Sequence, residues 1–152
     1  MIDELYSARI LSLAANLPHS GRLSAPQGTG ERVAKLCGSK AIVDVVLDAD
    51  GRIADFAQDV KACALGQAAA GVLGESVIGA TSQDIADARD AMLAMLKSGG
   101  DGPTGRFEGL RDLKLVAGYP ARHASTMVAL EATLDAVRQA ALHERTTLAG
   151  AA

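Results

Sequence analysis

The sequence has no tryptophan, and aromatic residues make up only 3% of it. Its core must therefore be filled by alanine, leucine and valine, which pack most closely when helices lie on a small sheet. The same scarcity, with basic residues scattered and never in a run, leaves neither the stacking rings nor the cationic stripe that nucleic-acid binding uses. A net charge of −3 points the same way. No apolar run reaches membrane-spanning length, and Met1 leads straight into Asp3 and Glu4 instead of a basic and then apolar leader. The expectation is a cytoplasmic protein with no nucleic-acid or membrane partner. Cysteine is as sparse as the aromatics: Cys37 and Cys63 are the only two. In a reducing compartment such thiols are free or metal-bound rather than bridged.

The 152 residues fit one domain, expected over 1–145 with a flexible tail over 146–152. Leu5, Ile10, Leu11, Leu13 and Ala14 recur at helical spacing, and Pro18 ends that first helix. His19 to Gly30, rich in glycine, proline and serine, reads as a connection. Glu31 to Leu36 predicts a short strand, interrupted by Cys37-Gly38-Ser39. Ala41 to Leu47 is rich in Ile and Val, Asp48-Ala49-Asp50-Gly51 carries turn chemistry, and Arg52 to Val60 predicts the returning strand of a hairpin. Ala64 to Val77 and Ser82 to Lys97 predict helices, the second with Ser82 as N-cap. A glycine-rich loop follows, then a short helical or irregular piece over Phe107 to Val116, a turn at Gly118-Tyr119-Pro120, and a last helix over about Arg122 to Leu142.

Chemistry concentrates at Cys63, where the strand pattern stops and the helical pattern begins. A thiol at the start of a helix faces unpaired N–H groups and the positive end of the helix dipole, both of which favour the thiolate. That suits a ligand or a nucleophile; the alternative is a small apolar side chain packed at a strand-to-helix corner. If the strand containing Glu31 pairs beside the hairpin, Cys37 and Cys63 lie in loops at the same end of a three-stranded sheet. Asp48, Asp50 and Asp55 lack calcium-loop spacing, and Gly99 to Gly105 lacks the lysine and the preceding strand of a phosphate loop.

The order of these pieces resembles the U-type iron–sulfur cluster scaffolds, the family of IscU, SufU and the N-terminal domain of NifU. The resemblance rests on Leu36-Cys37-Gly38, the hairpin Ile42 to Val60, Ala62-Cys63-Ala64-Leu65, Ala94-Met95-Leu96-Lys97-Ser98-Gly99 and Tyr119-Pro120-Ala121-Arg122. It covers about Leu5 to Val137, and Ser82 to Arg122 is nearest the SufU branch. It implies an α+β fold, a small three-stranded antiparallel sheet packed on one face by helices (SufE/NifU-like). It also implies a non-enzymatic scaffold or carrier that receives sulfur from a cysteine desulfurase and serves apo iron–sulfur client proteins.

The ligand set is depleted relative to that family. Ser39 stands where the resemblance places an aspartate. The third cysteine falls on Ser125 without a gap, with Ala124 in place of the IscU histidine or SufU lysine; a one-residue shift instead puts His123 at the histidine and Ala124 at the cysteine. The candidate ligands are Cys37, Cys63 and His123, with Cys63 or Cys37 as the sulfur acceptor. His123 and Ser125 read alternatively as residues capping or flanking the last helix. Two thiolates fall short of the four that hold a 2Fe–2S cluster, whereas a homodimer about a twofold axis offers four. The competing readings are zinc on Cys37, Cys63 and His123 in a persulfide-accepting sulfurtransferase, and an interaction module without metal.

Overall fold

The computed structural model describes residues 7–36 and 38–151, with side chains as far as His143. The first described helix, α1 (Ala8–Ala15), starts at Ser7, whose hydroxyl accepts from the Ile10 N–H, and it buries Ile10 and Leu13. Three strands follow, β1 (Gly28–Ala34), β2 (Ser39–Leu47) and β3 (Ile53–Lys61), in the antiparallel order β1-β2-β3. The β2–β3 turn closes as its sequence dictates. Asp48 accepts from the N–H groups of Asp50 and Arg52, and Gly51 takes the positive φ of 77° that glycine adopts without strain.

β1 begins earlier than the sequence predicts, because Gly28 and Gly30 belong to the strand and not to the connection before it. A methyl group on Gly28 would strike the backbone of Ala136, and one on Gly30 the backbone of Ala132. Those alanines belong to the final helix, here α4 (His123–Ala151), which runs past the expected end at Leu142. Glycine on the strand and alanine on the helix let the two backbones come together. Ala41, Val43, Val45 and Leu47 of β2 complete the buried face of the sheet.

Among the described residues, the opposite face carries one buried carboxylate. Asp44 is 0% exposed and accepts from the Arg22 guanidinium at 2.6 and 3.1 Å, the Thr29 hydroxyl at 2.7 Å and the Leu23 N–H at 3.1 Å. Burial alone would push this carboxyl up in pKa; the bonds from Arg22, Thr29 and Leu23, with the Arg22 charge, outweigh it and hold the group below its ordinary value. The network pins the connection between α1 and β1 to the sheet. Gln58 adds to it, donating through its side chain to the Pro18 and Ala70 carbonyls, while its backbone pairs with His19 and Gly21.

Helix α2 (Ala64–Ser76) is buried on nearly every side, and its glycines are contact surfaces: Gly71 lies against the Leu13 carbonyl of α1. Helix α3 (Ser82–Ser98) is capped by Thr81, not by Ser82. Thr81 and Asp84 form a reciprocal capping box, and Gly99 ends the helix in the left-handed conformation. The segment Gly105–Gly118 is 3-10 helix, burying Phe107, Leu110, Leu113 and Val116. Its Arg106 donates to the carbonyls of Ser76 and Ile78, which satisfies the C-terminal end of α2. A last 3-10 turn, Pro120–Arg122, leads into α4. No helix among the described residues is long and apolar enough to cross a membrane.

Candidate functional site

The register of the sheet decides what meets at its end. Ala34 pairs with Ser39 across the β1–β2 turn, and Lys40 pairs with Lys61, the last residue of β3. The β1–β2 turn and the β3–α2 junction therefore share one end of the sheet. Cys63 is the N-cap of α2, in extended conformation with φ −64° and ψ 170°, and its carbonyl accepts from the Gln67 N–H. The thiol thus stands at the mouth of the helix, as the sequence pattern predicts. Cys37 lies outside the described residues, but its neighbours Gly38 and Ser39 line the same cleft as Cys63. That cleft, about 440 Å³, is completed by Lys61, Ala62 and Arg122.

The floor beside Cys63 comes from the start of α4. Ser125 is 0% exposed, and its Oγ lies 3.4 Å from Cys63 Sγ. The same hydroxyl donates to the Arg122 carbonyl at 3.1 Å, a carbonyl that also accepts from the Thr126 hydroxyl at 2.7 Å. Gly66 permits this approach of α2 to α4, since a methyl group there would sit 2.6 Å from the Ser125 carbonyl oxygen. Of the sequence-predicted residues, Ser39, Cys63 and Ser125 are thus brought together.

His123 is placed differently. It is buried and lines a second cavity, of about 240 Å³, with Val33, Leu93, Lys97 and Met127. Its Nε2 lies 3.0 Å from the Val116 carbonyl and 3.3 Å from that of Ala117, so this nitrogen carries a proton and donates. Among the described residues no three of His, Cys, Asp and Glu come together as a metal-holding group. The sequence pattern does not single out Lys61, and it shows Arg122 only as the end of the Tyr119-Pro120-Ala121-Arg122 motif. The available signal was Lys61 two places before the cysteine.

The arrangement of a cysteine-bearing turn, a hairpin and a cysteine capping a buried helix can be compared with known proteins. The model of the NifU-like N terminal domain matches residues 5–101. The chain belongs to this NifU-like family. A crystal structure of a nitrogen-fixing NifU-like protein (N-terminal) from Brucella abortus is 44% identical, covers 93% of this chain and 97% of its own, and superposes with a TM-score of 0.89. A structure from Fervidobacterium islandicum AW-1, described as a candidate iron–sulfur cluster assembly scaffold protein for the SUF system, shares the fold. Its TM-score is 0.79 at 20% identity, over 88% of this chain and 96% of that one. No curated protein matches. The NifU-like fold therefore accounts for the sheet and for the helices that present Cys63.

Proposed function

We propose that this NifU-like chain is a scaffold or carrier whose cargo is an iron–sulfur cluster, with Cys63 and Cys37 as thiolate ligands. It takes sulfur from a cysteine desulfurase and passes the product to apo client proteins. The observation that carries this reading is Cys63 at the N-cap of α2, opening into a cleft shared with the residues that follow Cys37. Thiolates in an accessible cleft suit a cargo that must be both held and released. Family membership supports the same reading.

The donor set fits that cargo incompletely. Ser125, beside Cys63, occupies the place that the gapless alignment gives to the third cysteine, and a hydroxyl stays protonated near neutral pH. His123 has its Nε2 committed to carbonyl oxygens. Further soft donors then have to come from outside the chain, and a second copy of it brings two more thiolates.

The test is iron, acid-labile sulfide and a visible spectrum on protein purified without oxygen, compared with Cys63→Ala. Iron and sulfide in equal amounts, absent from the variant, support the scaffold. Zinc alone, at about one per chain and also lost from the variant, replaces it with the zinc-bearing sulfurtransferase. Nothing bound after reconstitution leaves an interaction module that has kept the fold.

A further inference from the structure

Among the described residues, the cleft at Cys63 is lined by two cations, Lys61 and Arg122, and by no carboxylate. Other cations of the sheet and of the first helix do have acidic partners: Arg9 has Asp112, Arg32 has Asp135, Lys40 has Glu31, and Arg22 has Asp44. None of the ion pairs among the described residues uses Lys61 or Arg122. The nearest acid along β3, Asp59, acts on Arg22. Two unpaired positive charges thus face a cleft whose reactive atom is a thiol sulfur, and whose buried partner for that sulfur is the Ser125 hydroxyl.

A group that answers these features at once carries a negative charge for the cations and a soft sulfur that can stand beside Cys63 on its cleft side, where the buried Ser125 hydroxyl is no such donor. We propose that the cleft binds a small thiol bearing a carboxylate, its sulfur beside Cys63 and its carboxylate on Lys61 and Arg122. This rests on the scaffold reading, under which the external thiolate supplies a soft donor that Ser125 does not. The volume of about 440 Å³ leaves room for a molecule larger than cysteine itself. The size of the cleft and the position of the charges make Lys61 and Arg122 the residues that select the thiol.

The selection can be measured without any metal. In protein carrying Cys37→Ala, the Cys63 thiolate attacks one sulfur of a probe disulfide, forming a mixed disulfide and releasing the other half as a coloured thiolate. Two probes are compared, the dianionic dithiobis(nitrobenzoate) and the uncharged dithiodipyridine, each normalised to its rate with mercaptoethanol. The anionic probe is expected to react about tenfold faster than the normalised neutral one at low salt. The preference should shrink as added salt shortens the screening length. Lys61→Glu and Arg122→Glu should each reverse it, and Lys61→Arg should keep it; circular dichroism on every variant establishes that the fold is intact, and Lys61→Gln serves if a glutamate variant does not fold.

Equal normalised rates for the two probes in folded protein overturn the inference, as does a preference that survives Lys61→Glu and Arg122→Glu together. If iron and sulfide still assemble in that case, the scaffold reading stands alone. If the charge preference is found but no iron or sulfide binds, the anionic-thiol site stands and the scaffold reading falls.

Discussion

Ser125 is the residue on which the ligand count turns. Its Oγ lies 3.4 Å from Cys63 Sγ, and its own donor bond goes to a carbonyl that Thr126 also satisfies. The Arg122 carbonyl therefore keeps a partner when the serine is replaced. Ser125→Cys is expected to fold normally and to hold a reconstituted cluster at least several-fold longer against a chelator, read as the decay of visible absorbance; no slowing would mean that this position does not face the cargo. A second residue-scale prediction concerns Asp44. Its carboxyl is held below its ordinary pKa in the folded protein, so its contribution to stability is present above about pH 4 and is lost as pH falls through the lower folded value. Asp44→Asn should cost about 2 kcal/mol near neutral pH and flatten the acid limb of a denaturation-midpoint profile. An aspartate inside the apolar run of β2 could be noticed in the sequence. Its partner could not, because Arg22 lies in a connection with no periodicity to place it.

At the scale of elements, the hairpin, the helix order and the junction at Cys63 were legible because each is written in local pattern. Alternation fixes the strands, and the Asp-Gly turn fixes the hairpin. The start of β1 was not legible, since a glycine in a strand and a glycine in a turn look alike in sequence. Only the alanines of α4, about a hundred positions away, explain Gly28 and Gly30. The cap of α3 was legible in principle, because Thr81 and Asp84 have capping-box spacing and adjacent Ser82 competes for the same role. Gly30→Ala should drive β1 away from α4 and destabilise by about 1–3 kcal/mol, seen as a lowered urea midpoint. Gly118→Ala, where an added methyl group meets nothing within 4 Å, is the matched control and should leave the midpoint in place.

For the molecule as a whole, the site draws on segments far apart in the chain: the β1–β2 turn, the β3–α2 junction and the start of α4. Cys63 opens α2 and the Tyr119 to Arg122 stretch leads into α4, in the order in which the sequence pattern lists them, and Ser125 lies against Cys63. The position of His123 in a separate cavity depends on how the 3-10 segment Gly105–Gly118 folds back to offer its last carbonyls, which no sequence pattern signals. If a second copy completes the donor set, reconstitution in the absence of small thiols should give one cluster per two chains. Light scattering should then show the mass doubling with the visible band and returning to monomer on chelation; a loaded monomer would exclude the bridged arrangement.

The backbone pairing along β3 bears on how copies of this chain can meet. β3 is an outer strand, yet Gln58 is paired with His19 and Gly21, and Ile53 with Gly79 and Ala80; on β1 the Thr29 N–H is taken by the Gln139 side chain. Open strand edges are where proteins recruit one another into indefinitely growing ribbons. Here much of that route is blocked by the chain's own loops. Paired along these stretches, the two outer strands offer fewer open backbone groups on which another chain could extend the sheet.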